Sequence, residues 1–322
     1  MGNEVKGNGK QPLVIVIPIF NDWEALGLLI QRLDPIIARL GMKCTLIVVN
    51  DGSTEPYDAS SIAQGCDAIE NINVLSLLRN LGHQRAITIG LAYVYENIPD
   101  AITLVMDGDG EDDPENIPEL VEACYHNNLS KIVFAERVKR MEGLLFRTFY
   151  HLYRFLHLLV TGLPVRVGNY SVIPFSCLKR LSVVSEMWNH YAAAVLKAKI
   201  PLTTIPTIRS TRLLGQPKMN FVALVIHGLS AISIYGAISG VRVLILMTVL
   251  LIICLFGGIV SFIAGLSMGV TSFVFFSAAG ILFLSMTTVI VFILLILARR
   301  TDTTFLPIRD YKYFIDDVDN LR

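Results

Sequence analysis

The sequence VMDGDGEDDPE, residues Val105–Glu115, decides how the rest of the chain is interpreted. The apolar run at 102–106 is typical of a buried strand, and two carboxylates follow at its end. Asp107 and Asp109 would share one face of a continued strand, and Gly108 between them permits a close bend around a ligand. Oxygen ligands at a strand end suit Mg²⁺ or Mn²⁺ and leave coordination positions for phosphates. The alternative is an acidic, solvated loop that leads into a helix.

The composition divides the chain into a mixed N-terminal part and an apolar C-terminal part. Of the 322 residues, 53% are hydrophobic, and the mean hydropathy of +0.57 is high for a soluble enzyme. No charged residue occurs from Val243 to Ala298, which is long enough for two membrane spans of about 20 residues each. The formal net charge of +0 gives no support to nucleic-acid binding. The 5 cysteines lack the paired spacing of a metal site.

Short apolar strands alternate with amphipathic helices along the first two thirds of the chain. Strands are predicted at 13–20, 45–49, 73–78, 102–106, 131–135 and 202–208, with a further short strand opening at 168–171, and helices at 23–40, 84–95, 115–125 and 186–198. This alternation predicts an α/β domain with a parallel, doubly wound sheet, whose ligand crevice lies at the strand carboxyl ends. The polar residues that follow predicted strand ends are Asp22, Asp51, Arg79, Asp107 and Asp109. So many polar groups at one edge favour a functional site over ordinary turns.

Two membrane-spanning helices are predicted in the apolar part, near 241–264 and 272–298. Arg242 precedes the first and an arginine pair follows the second, so the positive-inside tendency places both ends in the cytoplasm. The spans contain no ionisable carboxylate, lysine or arginine, which favours an anchor over a transport path. The apolar but interrupted segment 219–240 predicts amphipathic helices on the membrane surface.

Five short motifs occur in order along residues 13–218. They are VIPIFND at 16–22, NDGS at 50–53, RNLGHQRA at 79–86, DGDGEDDPE at 107–115 and RLLGQPKM at 212–219. These motifs resemble those of family 2 glycosyltransferases. Together with the two spans, they are most similar to the polyprenyl-phosphate glycosyltransferases. The resemblance implies a glycosyltransferase A (Rossmann-like) catalytic domain, followed by interfacial helices and two transmembrane helices.

The resemblance also implies roles for individual residues. Nucleotide binding is implied for Pro18, Asp22, Asp51, Arg79 and Arg85. Binding of Mg²⁺ or Mn²⁺ is implied for Asp107, Asp109 and Glu111. A mobile loop carrying Arg212 and Lys218 is implied to close over the phosphates. The implied catalytic residues are Asp107, Asp109, Arg212 and Lys218.

The implied reaction moves a sugar, with inversion, from a nucleotide sugar to a polyprenyl phosphate, and a UDP-sugar is the default donor. Asn169 departs from the family pattern, which typically has Asp there, and Pro217 stands where Ser usually precedes Lys218. A hydroxyl acceptor needs a general base, and Glu186 is the only carboxylate near in sequence. The alternatives are a glycolipid or polysaccharide hydroxyl acceptor, or a non-catalytic membrane protein that binds a nucleotide sugar.

The expected protein is therefore a multi-pass protein of the inner (cytoplasmic) membrane with its catalytic domain in the cytoplasm. Its expected parts are a flexible N-terminus at 1–11, a glycosyltransferase domain at 12–218, interfacial helices at 219–240, two transmembrane helices at 241–298 and a cytoplasmic tail at 299–322. The basic and aromatic stretch 137–154 is expected either to face anionic headgroups or to form a solvated helix face. A homo-oligomer is an open alternative to a monomer.

Overall fold

The computed structural model describes residues 10–139, 155, 157–162, 167–214, 221–265, 267–300 and 305–322. Outside the described residues lie 1–9, which are most of the predicted flexible N-terminus, and 140–154, which are most of the basic and aromatic stretch. Lys218 lies outside them as well. The chain divides into two compact units. The first consists of Met1–Glu142, Arg166–Phe221 and Thr303–Arg322, and the second of Gly143–Val165 and Val222–Asp302.

Within the described residues, the first unit is built on one eight-stranded sheet. The strands are β1 Leu13–Ile19, β2 Cys44–Asn50, β3 Ile69–Leu77, β4 Ile102–Val105, β5 Ile132–Lys139, β6 Ser171–Ile173, β7 Leu202–Ile208 and β8 Ile315–Asn320. Their order across the sheet is β7-β5-β6-β4-β1-β2-β3-β8. Most neighbours are parallel, but β6 runs antiparallel to β4 and β5, and β8 runs antiparallel to β3. The prediction of a purely parallel sheet is therefore wrong at these two strands.

Helices cover both faces of the sheet, which explains why β1 is a continuous apolar run. The helices of this unit are α1 Trp23–Leu40, α2 Ala59–Ala63, α3 His83–Asn97, α4 Ile117–His126, α5 Phe175–Leu181 and α6 Tyr191–Lys197. On one face, Ile15 and Ile17 join the buried cluster that contains Leu29 of α1. On the other face, a Cβ at Gly90 of α3 would lie 2.6 Å from Val16 Cγ1. The absence of a side chain at Gly90 therefore lets α3 pack directly on the central strand β1.

The helix predicted at 186–198 is divided in two. Ser185–Trp188 forms a 3-10 helix, and α6 begins only at Tyr191. His190 between them has extended backbone angles, and its side chain accepts a hydrogen bond from the Ala193 N–H as an N-cap. The cap starts a new helix, because the extended residue cannot belong to a continuous one.

The C-terminal residues return to the sheet of the first unit, where the sequence predicts a tail. Helix α10 spans Pro307–Asp310 and is numbered after the three helices of the second unit, which are described below. A 3-10 helix then spans Tyr311–Phe314, and β8 pairs with β3 from Asn73↔Asn320 to Leu77↔Ile315. Phe305 stacks on Trp188 with ring centroids 3.8 Å apart. Residues 305–322 thus complete one edge of the sheet, and the acidic residues of β8 are typical of an edge strand.

The second unit contains α7 Phe221–Ser233, α8 Gly236–Ile263 and α9 Met268–Arg300. Two windows, Ile238–Ile263 and Met268–Ile293, are long and apolar enough to cross a membrane, with hydropathies of 3.1 and 2.2. Only 6% of each window is buried, unlike the core helix of a soluble protein. These helices are candidate membrane spans, and the first begins a few residues before the predicted position. The interfacial segment predicted at 219–240 corresponds to α7 and the first turn of α8.

Candidate active site

The acidic loop, residues 107–113, leaves the central strand β4 and folds back tightly on itself. The buried Asp112 accepts a hydrogen bond from the Asp107 N–H at 3.0 Å, and Asp109 Oδ1 accepts one from the Glu111 N–H at 3.0 Å. A Cβ at Gly108 would lie 3.0 Å from Ile19 Cδ1, so the loop packs directly against β1. These contacts hold the Asp107 and Asp109 carboxylates at the sheet edge with 23% and 18% of each side chain exposed.

Arg212 brings two of the predicted acids together. Its Nη1 donates to Asp109 Oδ2 at 3.0 Å, and its Nη2 donates to Asp22 Oδ2 at 2.7 Å. Its Nε donates to the Leu214 carbonyl at 2.8 Å, so the guanidinium is fixed on three sides. Only 14% of the Arg212 side chain is exposed. Planar guanidinium groups bind paired oxygens in this way, and phosphate offers the same geometry.

The basic segment, residues 209–214, lies along the acidic loop. The Ser210 N–H donates to the Glu111 carbonyl and the Leu213 N–H donates to the Asp109 carbonyl, both at 3.0 Å. Arg209 also forms an ion pair with Glu111. Glu111 therefore faces a cation, and its implied part in metal binding stays a prediction.

Replacing Gly110 by Ala tests how the basic segment docks. Gly110 has a φ of +78°, and a Cβ there would lie 2.4 Å from Leu213 Cγ, so Gly110→Ala should displace the segment. Strain of about 1–3 kcal/mol should raise the rate of tryptic cleavage after Arg209 and Arg212 roughly tenfold. Gly65→Ala is the matched control, because Gly65 has a φ of +75° with nothing within 4 Å. Equal cleavage rates in the two variants would contradict this packing.

A second array of polar side chains meets the acidic loop at the start of α3. His83 Nε2 lies 3.0 Å from Asp107 Oδ1 and 3.0 Å from Asn169 Nδ2. The buried Gln84 donates from Nε2 to Asn169 Oδ1 at 3.2 Å and accepts from the Tyr191 N–H at 2.7 Å. The side chain of His83 is 41% exposed, and partial desolvation alone would lower its pKa, but the Asp107 carboxylate outweighs this effect and raises that pKa above its usual value.

Sequence reasoning missed His83, Gln84 and Asp112. The first two are part of the motif RNLGHQRA, in which the arginines were assigned to nucleotide binding. The signal that could have identified His83 was its imidazole at the first position of a helix that follows a strand end. Asp112 belongs to the acidic loop, but its burial and its bond to the backbone of Asp107 depend on how the loop folds.

Asp51 holds the turn that precedes α3. Its two carboxylate oxygens accept from the Leu81 N–H at 2.7 Å and the Gly82 N–H at 2.8 Å. Burial raises the pKa of Asp51, and these two hydrogen bonds oppose the shift. A carboxylate has further lone pairs, so these bonds leave acceptor capacity for a nucleotide. The implied nucleotide contact of Asp51 stays a prediction.

The remaining predicted nucleotide residues lie in different surroundings. Pro18 is buried in β1, where it is paired with Val49 of β2, and Arg79 is exposed. Arg85 lies over the ring of Trp188, with its guanidinium carbon 5.1 Å from the ring centroid. The structure therefore brings Asp22, Asp109 and Arg212 into direct contact, while Arg85 contacts the aromatic residue that also stacks on the C-terminal segment.

The donor set fits a divalent ion by its chemistry. Among the described side chains, no group of three or more His, Cys, Asp or Glu is arranged to hold a metal ion. Asp107 and Asp109 supply two carboxylates, and His83 and Arg212 lie against them. Mg²⁺ usually takes one or two carboxylates and completes its shell with waters and substrate phosphates. Two acids at an open sheet edge meet that requirement.

The mixed sheet, with paired acids after its central strand, has the architecture of the glycosyltransferase A fold. The family model "Glycosyl transferase family 2" matches residues 14–181, and the chain belongs to this family. The predicted fold class is thereby confirmed. A solved structure of glucosyl-3-phosphoglycerate synthase from Mycobacterium tuberculosis superposes with a TM-score of 0.51. That match covers 71% of this chain and 80% of the other at 16% identity, so it supports the fold alone.

Relatives in sequence include two enzymes named for polyprenyl phosphates. The undecaprenyl-phosphate 4-deoxy-4-formamido-L-arabinose transferase of Photorhabdus laumondii is 26% identical over 61% of this chain and 55% of its own length. The dodecaprenyl-phosphate galacturonate synthase of Rhizobium johnstonii is 29% identical over 42% of this chain and 38% of its own. The uncharacterized glycosyltransferase YkcC of Bacillus subtilis is 26% identical over 63% and 62%. The matches to these relatives thus cover less than two thirds of their length.

Proposed function

We propose that this protein is a membrane-anchored, inverting glycosyltransferase that moves a sugar from a nucleotide sugar to a polyprenyl phosphate. The observation that carries the proposal is the bridge from Asp22 through Arg212 to Asp109 at the sheet edge of a family 2 domain. The bridge places a bidentate cation beside the paired acids, where a nucleotide diphosphate needs positive charge. The named functions of the relatives support a lipid-phosphate acceptor.

The donor side of the mechanism depends on charge. Asp107 and Asp109 would hold Mg²⁺ or Mn²⁺. Such an ion would neutralise the negative charge that develops on the leaving diphosphate. Arg212 would bind the same phosphates through its fork of N–H donors. Glu111 is proposed to bind the metal and Lys218 to bind the phosphates. The residues proposed to bind the nucleotide are Pro18, Asp22, Asp51, Arg79 and Arg85. A UDP-sugar is the first donor to test.

Among the described residues, the candidate base for a hydroxyl acceptor is Glu186, and its surroundings do not suit that role. Glu186 forms an ion pair with Lys197 at 2.9 Å. Burial alone would raise the pKa of Glu186, but Lys197 outweighs it and lowers that pKa. A carboxylate with a lowered pKa is a weak general base, and the Asn169 amide cannot act as one. A lipid phosphate is already ionised at neutral pH and needs no base, so these residues favour phosphate over hydroxyl.

The acceptor test compares undecaprenyl phosphate with undecaprenol. With purified protein, Mn²⁺ and a panel of nucleotide sugars, we expect the phosphate to stimulate nucleotide release and the alcohol to have no effect. Glu186→Gln should leave the stimulated rate unchanged, because no deprotonation by Glu186 is required. Equal stimulation by the alcohol, together with loss of transfer in Glu186→Gln, would support a hydroxyl acceptor instead. Nucleotide binding without release under any condition would support the non-catalytic alternative.

We also propose that α8 and α9 cross the inner membrane as a hairpin, with the first unit in the cytoplasm. Because the chain leaves the first unit before α7 and returns to its sheet at β8, both ends of the hairpin belong on one side. In intact cells, an impermeant maleimide should label Ser267→Cys, in the link between the helices. It should not label Tyr313→Cys, an exposed position of the C-terminal segment, until the membrane is permeabilised. Labelling of Tyr313→Cys in intact cells would contradict this topology.

A further inference from the structure

The orientation of the side-chain amides beside the acidic loop is set by a backbone group. The Tyr191 N–H can only donate, so the Gln84 atom that faces it at 2.7 Å must be the carbonyl oxygen. The Gln84 NH₂ group then faces Asn169, whose own carbonyl oxygen must accept from it. The Asn169 NH₂ group is therefore the part of that amide that faces His83.

This orientation determines the role of His83 Nε2. With an N–H of Asn169 directed at it from 3.0 Å, Nε2 completes this hydrogen bond as the acceptor in the neutral tautomer that carries its proton on Nδ1. The Nε2 lone pair then lies beside Asp107 Oδ1, also at 3.0 Å. Two electron-rich atoms at this distance repel each other unless a positive centre lies between them. A protonated His83 could pair with Asp107, but its Nε2–H would oppose the Asn169 donor.

The separation of the two atoms matches that of neighbouring metal ligands. Ligands about 2.1 Å from an octahedral ion stand about 3.0 Å apart when they are adjacent. His83 Nε2 and Asp107 Oδ1 lie 3.0 Å apart. We propose that His83 is a ligand of the divalent ion, together with Asp107, an inference that rests on the metal site of the proposed function.

The chain holds His83 firmly in this place. Both carboxylate oxygens of Asp51 bind the backbone N–H groups of the two residues before His83. Gly82 has a φ of +96°, which lets the turn enter α3 at His83 directly. These contacts fix the backbone from which the His83 side chain extends toward Asp107. When the ion takes the Nε2 lone pair of His83, the Asn169 N–H would lose its acceptor. It would then donate to an oxygen of the substrate.

An imidazole ligand also changes which ion is preferred. A site of carboxylates alone suits Mg²⁺, whereas imidazole nitrogen favours first-row transition ions. Of the two ions that suit the acids, Mn²⁺ is then the better match. We expect Mn²⁺ to bind more tightly than Mg²⁺, with a preference that His83→Gln reduces.

The test measures Mn²⁺ bound to the full-length protein by pulsed electron paramagnetic resonance. We expect ¹⁴N coupling from one imidazole, which changes to ¹⁵N coupling when the histidines are ¹⁵N-labelled. His83→Gln should remove this coupling and weaken Mn²⁺ binding about tenfold or more. His126→Gln is the matched control, because His126 lies 3.4 Å from Glu122 in an exposed pair on α4. It should change neither the coupling nor the affinity.

The outcomes separate this inference from the function on which it rests. Bound Mn²⁺ without nitrogen coupling in the unmutated protein overturns the assignment of His83 and leaves the carboxylate site intact. Coupling that persists in His83→Gln assigns the nitrogen to another residue and overturns the inference as well. If the unmutated protein binds no Mn²⁺, both the inference and the proposed metal site are overturned.

Discussion

Asp109→Asn is expected to lower turnover about 100-fold while the fold survives. The substitution removes a negative charge from the proposed metal site and also weakens the bond that holds Arg212 at 3.0 Å. Arg212 would keep its bond to Asp22, so the cation would be drawn away from the acidic loop. The initial rate of nucleotide release at saturating Mn²⁺ measures the effect, and the thermal unfolding midpoint checks the fold.

A matched control distinguishes loss of this carboxylate from loss of charge in general. Asp316→Asn makes the same chemical change at an exposed position on the edge strand β8. It should leave turnover at the level of the unmutated protein. If the Asp109→Asn variant at saturating Mn²⁺ had a turnover close to that of the unmutated protein, Asp109 would have no part in the metal site.

Trp188→Ala is expected to lower the free energy of unfolding of the first unit by about 3–5 kcal/mol. Trp188 is 6% exposed, and its ring contacts Phe305 and Phe314, with centroid distances of 3.8 and 5.0 Å. Both partners belong to the C-terminal segment, so removing the indole ring should release residues 305–322 from the sheet. Urea unfolding of the detergent-solubilised protein measures the change, and limited proteolysis reports release of the segment.

A double-mutant cycle attributes the loss to the C-terminal contact. Trp188→Ala combined with Phe305→Ala should cost less than the sum of the two single changes, because both remove the same stack. Tyr95→Ala is the control, since the ring of Tyr95 stacks on Phe175 at 5.5 Å and removing it leaves the stack of Trp188 on Phe305 intact. Additive losses in the Trp188 and Phe305 pair would mean that the segment docks by other contacts.

The central part of the fold could be predicted because its strands are buried on both faces. β1 and β4 are apolar at every position except one buried threonine, Thr103, and such runs need no knowledge of their neighbours. The short strand predicted to open at 168–171 corresponds to β6, but its direction could not be assigned, and β8 was not predicted. β6 has three residues, and β8 carries three aspartates in six positions. The antiparallel pairing of each depends on long-range contacts that a local pattern does not contain.

The candidate site likewise contains features that a local pattern predicts and features that depend on long-range contacts. The acids after β4 were predictable, because a strand end and a sequence motif coincide there. The contact of Arg212 with Asp22 joins residues that are 190 positions apart, and only the folded sheet brings them together. His83 was missed because its partner Asn169 is 86 residues away. Arg85 was predicted at the nucleotide, whereas its contact with Trp188 depends on a helix whose start was misplaced.

The return of β8 to the sheet makes assembly of the enzyme sequential. Among the described strands, β8 is synthesised after all the others, and both candidate spans precede it in the chain. Until β8 has been synthesised, β3 remains an open edge, the kind of surface that pairs with strands of other chains. A hairpin inserted with only one helix across the bilayer would leave β8 on the wrong side of the membrane. With the proposed topology, the sheet closes only in molecules in which both helices have crossed the membrane, so folding of the first unit would be coupled to membrane insertion.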